Sequence, residues 1–214
     1  MSEKSIYILL TRTSSILSRV IHRMTRAAYT HAALVMDEDF KEIYSFTRRN
    51  PRYILPAGLA RENLRKGLYR ARKDPPCRVY RLRVTEEEYE RIRRRVQAMY
   101  AERENYHYNY LGVAANYFGR QHSAPKRYFC SEFVATMVKT GGHETAVVPA
   151  RMRPMDFTKM PELDLVYQGS VRGLRRRVAL QRAKRNAIWE VAEQEKVLLP
   201  KSCEKKKRKW TSWD

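Results

Sequence analysis

The sequence predicts an α+β fold in which a small antiparallel sheet packs against helices and a basic, partly helical tail follows. Three observations carry that prediction. Short apolar runs with strand character cluster before Thr85, helix-type spacing with recognisable start and stop signals brackets them, and basic charge becomes denser after about residue 172. With 214 residues, 43% of them hydrophobic, and only 8 Gly and 9 Pro, the chain can bury a real core, which excludes a collagenous or low-complexity protein. We divide it into a folded domain over residues 1–172 and an extension over residues 173–214.

The elements follow in order. Ser5 to Leu10 reads as a short strand, and Thr13-Ser14-Ser15 caps a helix running to about Met24, with Ile16, Leu17, Val20 and Ile21 on one face. Tyr29 to Met36 is apolar on both sides of its alternation, which suits a strand buried on both faces. Asp37-Glu38-Asp39 turns the chain into a hairpin partner over Phe40 to Phe46. The stretch from Arg48 to Lys73, with Asn50-Pro51 and Pro56-Ala57-Gly58, reads as a long surface connection. Cys77 to Val84 alternates as another strand, and Thr85-Glu86-Glu87-Glu88 opens a helix to about Glu104 with a capping box. The aromatic segment Tyr106 to Phe118 fits either class. Phe129 to Thr140 is a helix stopped by Gly141-Gly142, and Leu163 to Gln168 returns as a final strand. No internal repeat suggests a solenoid.

No apolar run approaches the roughly 18 residues that a membrane-spanning helix needs, the longest near the start being Ile6 to Leu10. Met1-Ser2-Glu3-Lys4 lacks the features of a secretory leader, so the expected compartment is the cytoplasm. The cysteines, Cys77, Cys130 and Cys203, are odd in number and share no metal-type spacing. Neither a disulfide framework, a metal nor another cofactor is expected. The net charge of +21 suits nucleic acid, an anionic membrane surface or acidic partners. From Val171 onward there are about 14 basic and 5 acidic residues, so the tail carries roughly +9 of it.

Cys130 opens its helix, and Cys130, Phe133, Val134, Met137 and Val138 mark the inward face. A thiol there meets unpaired N–H groups and the positive end of the helix dipole, which favour thiolate, and the same donors can hold an oxyanion. The bland alternative is a small buried hydrophobe. His31 differs from His22, His107, His122 and His143 in lying within an apolar strand, where an imidazole needs a hydrogen-bond partner. It is the natural base for the thiol, against the alternative of a satisfied structural histidine. Cys77, after Asp74-Pro75-Pro76, reads as structural, and Cys203 among Lys201, Lys205, Lys206 and Lys207 as incidental. The tyrosines at 106, 108, 110 and 117 either line a cleft or pack against the preceding helix.

Tyr29-Thr30-His31-Ala32-Ala33-Leu34, a hairpin, and then Phe129-Cys130-Ser131-Glu132-Phe133-Val134 resemble the circularly permuted branch of the NlpC-type papain-like cysteine hydrolases, often called YiiX-like. In that branch the His strand precedes the Cys helix, as here. Ile6 to Thr13, Tyr44-Ser45-Phe46, Tyr108 to Gly112 and Val166 to Gly169 are similar as well, so the resemblance covers about residues 5 to 170. It implies a permuted papain-like fold and acyl transfer: Cys130 attacks a carbonyl, His31 is the base, and the Cys130 backbone amide contributes to the oxyanion site. Relatives include cell-wall peptidases and amidases, and the related lecithin:retinol acyltransferase group moves acyl chains through a thioester.

The third catalytic position departs from the family. Many permuted relatives place a Glu on the strand after the His, where this chain has Ile43-Tyr44-Ser45-Phe46. A three-residue loop pairing Met36 with Phe40 would set Ser45 opposite His31, whereas a four-residue loop would set Phe46 there. Ser45 is the closest positional match and is taken as the third catalytic residue, orienting the ring more weakly than a carboxylate; Glu62 could reach in from the long connection, but no register places it. The expected activity is a cysteine hydrolase acting on a small-molecule, peptide or acyl-lipid substrate through a Cys130 thioester. The alternatives are an acyltransferase or lipid esterase of the same fold, and a non-catalytic basic module. The tail residues Leu174, Val178, Ala183, Ile188, Val191 and Val197 give an imperfect amphipathic helix, suited to an anionic membrane surface. Lys205 to Lys209 with Trp210 and Trp213 suit nucleic acid. A solvated charged helix is the bland alternative.

Overall fold

The computed structural model describes residues 3–13, 16–49, 55–69, 74–145 and 147–198. The expected Ser14-Ser15 cap, Asn50-Pro51, Cys203, the Lys205–Lys209 run, Trp210 and Trp213 lie outside them. So do the side chains of Ile16, Leu17, Val20, Val191 and Val197. Two compact units divide the chain, residues 1–175 and 176–214.

The first unit runs β1 (Glu3–Thr11), α1 (Ile16–Thr25), β2 (His31–Val35), β3 (Ile43–Arg48), β4 (Ala57–Glu62), β5 (Pro76–Thr85), α2 (Glu86–Ala101), β6 (His107–Tyr108), α3 (Tyr110–Tyr117), β7 (Arg127–Tyr128), α4 (Cys130–Thr140) and β8 (Leu163–Ser170). The fold is α+β. One open sheet in the order β7-β6-β4-β3-β2-β1-β5-β8 is antiparallel throughout except for the β6–β7 pair. Helix α5 (Val171–Leu198) begins in this unit and forms the described part of the second.

Alternation decides which side chains meet the helices. Ile6, Ile8 and Leu10 of β1, with Ala32 and Leu34 of β2, join Ile92, Val96 and Met99 of α2 and Phe133, Val134 and Met137 of α4 in one core. On the opposite face Leu9, Ala33, Val35 and Ile43 have no exposed surface. Burial on both faces is why β1 and β2 read as continuous apolar runs rather than alternating ones. Phe46, Phe133 and Phe157 are fully buried, each contributing about 1.5–3 kcal/mol.

Helix α2 starts as its sequence predicts: Thr85 Oγ1 accepts from Glu88 N–H at 3.2 Å while the Glu88 carboxylate accepts from Thr85 N–H at 2.8 Å. Helix α4 has only half of that device, because Phe129 has no side-chain acceptor. Glu132 alone reaches back, accepting from Phe129 N–H at 3.2 Å.

Three expectations change. The hairpin register differs: Met36 N–H donates to Glu42 O at 2.9 Å, and Leu34 pairs with Tyr44, which sets Ser45 opposite Ala33 rather than opposite His31. The slip is two residues, so Ser45 keeps the face that His31 occupies. The connection after Arg48 is not irregular throughout, since Ala57–Glu62 forms β4 against β3 and Gly67–Tyr69 makes a single 3-10 turn. The aromatic segment divides, with His107–Tyr108 adding a short strand to the sheet and Tyr110–Tyr117 forming α3 behind an Asn109 cap.

In the second unit, α5 carries Leu180, Ile188 and Trp189 exposed among exposed Arg176, Arg177, Arg182, Lys184 and Arg185. No helix among the described residues is long and apolar enough to cross a membrane.

Candidate functional site

The site forms where β2 and β3 part. Pairing between them covers only Leu34 and Val35. Met36 N–H faces β3, so by the two-residue alternation Ala32 N–H faces the same side, beyond the last paired residue. The start of α4 fills that gap, and the Cys130 sulfur lies near enough to the Ala32 N–H that the ladder leaves over, and to Ser131 N–H of its own helix, for both to favour the thiolate. Cys130 is buried at 5% exposure, yet it lines a crevice of about 280 Å³ including its open mouth.

The His31 imidazole lies close enough to the Cys130 sulfur for each to shift the pKa of the other. His31 Nε2 lies 2.9 Å from Glu62 Oε1, with the two side chains only 8% and 5% exposed. Nε2–H therefore points at a carboxylate, which leaves Nδ1 as the nitrogen available to the thiol. Glu62 is itself held by two hydroxyls: Ser45 donates to Oε1 and Tyr69 to Oε2. Three donors converge on one carboxylate, so its charge is compensated and its position over-determined.

The electrostatics follow from this chain of contacts. Burial works against the His31 imidazolium, but the Glu62 carboxylate and the Cys130 sulfur outweigh it and raise His31 to about 10. Burial likewise pushes the Cys130 thiol up, yet the His31 contact and the two backbone donors bring it below its ordinary value. Glu62 would be raised by burial, and His31, Ser45 and Tyr69 hold it down. Thiolate and imidazolium thus stabilise each other.

Tyr108 is the remaining neighbour of the sulfur. Its hydroxyl lies beside Cys130, and burial together with the thiolate charge keeps it protonated far above its ordinary range. Gly58 makes that placement possible, because a Cβ there would run into the Tyr106 carbonyl oxygen where β6 docks on β4. Tyr117 also lines the crevice and is pushed up to about 12 by burial and by Cys130. Glu132, two residues along α4, is raised to about 7 by burial, against hydrogen bonds from Phe129 N–H and Asn109.

The structure thus brings Cys130 and His31 together. Ser45 lies behind Glu62 rather than on the imidazole, because β4 supplies a carboxylate to that position. Tyr69 escaped sequence reasoning altogether, since nothing in Gly67-Leu68-Tyr69 marks a buried hydroxyl. Of the four tyrosines, Tyr108 and Tyr117 line the crevice, while Tyr106 packs at 6.4 Å from the Phe46 ring and Tyr110 at 4.7 Å from the Tyr108 ring. Cys77 has no exposed surface and is raised to about 12 by burial and Asp74, as an inert thiol should be. Among the described residues no group of three His, Cys, Asp or Glu side chains could hold a metal ion. No protein-family model matches the chain, and no curated protein matches it.

Proposed function

We propose that this protein is a cysteine hydrolase of the circularly permuted NlpC-type papain-like kind, cleaving an amide or ester through a Cys130 thioester. The observation that carries the reading is the relay from the Cys130 sulfur, which lines an open crevice, through His31 to the buried Glu62 carboxylate, 2.9 Å from Nε2.

The chemistry balances on these groups. The thiolate attacks the carbonyl carbon, forming a C–S bond, and the carbonyl electrons move onto oxygen. Backbone N–H groups at the start of α4 and the Tyr108 hydroxyl are donors beside the sulfur that can take that charge. Collapse breaks the C–N or C–O bond, and His31 Nδ1–H gives its proton to the leaving nitrogen or oxygen. Water then attacks the thioester while Nδ1 takes its proton, and breaking the C–S bond releases a carboxylic acid and restores the thiolate. Glu62, Ser45 and Tyr69 position the imidazole throughout. A nucleophile other than water in the second half would make the same site an acyltransferase. The two described cysteines are both free, which suits a reducing compartment such as the cytoplasm.

The test is intact-mass detection of an acyl adduct. A p-nitrophenyl ester should add its acyl group to Cys130 alone and release p-nitrophenolate. Cys130→Ala should abolish both, and His31→Ala should slow both at least about 100-fold, as loss of a general base does. Modification of Cys77 at a rate equal to that of Cys130 would overturn the reading.

The exposed cations of α5 favour a second, separable property: attachment to an anionic surface or nucleic acid. Retention on anionic vesicles or single-stranded DNA should survive Cys130→Ala, weaken with salt and vanish when residues after 175 are removed.

A further inference from the structure

An exposed charge stands beside the crevice at Cys130, and the acyl-transfer chemistry leaves it unused. The crevice walls are largely apolar, with Ile21, Val113, Phe129, Met152 and Pro154, and apart from the Cys130 thiolate Arg153 is the one formally charged side chain among the described residues that line it. Most of that guanidinium is already fixed. Nε donates to Asn116 Oδ1 at 3.0 Å, Nη2 donates to the Asn116 carbonyl at 2.8 Å, and the guanidinium carbon stands 5.1 Å from the Tyr117 ring centre. Asn116 is itself buried and anchored, its Nδ2 donating to Ala150 O at 3.3 Å.

Nη1 has no partner among the described residues, and no carboxylate forms an ion pair with this guanidinium. Asp156, three residues along, spends Oδ2 on the Arg153 backbone N–H at 2.9 Å and has Oδ1 3.8 Å from Lys159 Nζ. An Arg held on two sides, stacked on an aromatic ring and open on the third is pre-organised for an oxyanion, because little side-chain entropy remains to be lost.

We propose that Arg153 is the anion-recognising residue of this crevice, so that the substrate is a small apolar carbonyl compound carrying a carboxylate or phosphate away from the scissile bond. This inference rests on the hydrolase reading above and names its substrate.

The experiment compares matched p-nitrophenyl esters, neutral acyl chains against chains of equal length ending in a carboxylate, and matched phenyl esters with the carboxylate on the leaving group instead. The wild-type protein should favour a charged member, through KM, by about 10-fold, the lower end of what a charge-assisted hydrogen bond contributes. Arg153→Gln should bring the charged-to-neutral ratio of kcat/KM close to one. Arg153→Lys, which keeps the charge and loses the fork, should retain part of it. Glutarate or inorganic phosphate should slow alkylation of Cys130 by iodoacetamide in the wild type and not in Arg153→Gln, and which of the two protects identifies the oxyanion. Equal kcat/KM for charged and neutral esters of both series in the wild type overturns the inference. So does an equal fall on both in Arg153→Gln, which is the signature of a merely structural role. In either case continued acylation of Cys130 leaves the hydrolase reading standing. Absence of any acyl adduct removes both.

Discussion

Glu62→Gln isolates the charge that governs the pair. Gln keeps the shape: its oxygen can accept from His31 and Ser45, and its amide can face the Tyr69 hydroxyl, which turns to accept. His31 stands at about 10 against an ordinary 6.5, a rise of about 3.5 that corresponds to roughly 5 kcal/mol in favour of the imidazolium. Burial acts against that form, and the charge of Glu62 is the largest influence in its favour. Once the charge is gone, burial dominates and the ring is neutral at pH 7. The thiol then loses the imidazolium beside it and returns to its ordinary value of 9.0 or higher. At pH 7 such a thiol is about 1% ionised, and its greater intrinsic nucleophilicity recovers part of the loss. Iodoacetamide labelling of Cys130, followed by peptide mass, should therefore slow by about 10- to 100-fold, with its pH midpoint moved upward. A denaturant midpoint checks the fold, and Glu62→Asp, which keeps the charge, should fall between the two. Labelling of Glu62→Gln at the wild-type rate from pH 6 to 9 would refute the reasoning.

Turnover of a p-nitrophenyl ester should rise as pH passes the depressed value of Cys130, below 9.0, and decline as it passes about 10, where His31 loses its proton. The raised His31 stabilises the fold fully below about 6.5, and that contribution should be lost between about 6.5 and 10. The lowered Glu62 contributes above about 4.5 and should lose its share as pH falls through its folded value. Denaturant midpoints across pH read both limbs. Tyr108→Phe removes a donor to the sulfur without opening a cavity, and should slow Cys130 labelling at pH 7 by about 10-fold. An unchanged rate would show that the hydroxyl does not hold the thiolate. Glu132, raised to about 7, binds its proton more tightly folded than unfolded, so it costs stability as pH climbs from about 4.5 to 7. Glu132→Gln should raise the denaturant midpoint more at pH 8 than at pH 4, and a pH-independent change would refute that.

The α+β class, both faces of β2, the capping box at Thr85 and the inward face of α4 were all legible from residue types and spacing, because each depends on neighbours within one element. Cys130 and His31 stood out for the same reason: a thiol opening a helix and an imidazole in an apolar strand are local anomalies. Tertiary structure alone decided what completes them. The hairpin closes two residues later than its acidic turn suggests, which moves Ser45 from His31 to Ala33 while preserving its face. A strand hidden in a polar, Pro-containing connection delivers Glu62, with Tyr69 behind it. Sequence periodicity reports burial along one element. The meeting of carboxylate, imidazole and sulfur depends on the register between strands and on where α4 enters the gap they leave, and those are set by packing across the whole sheet.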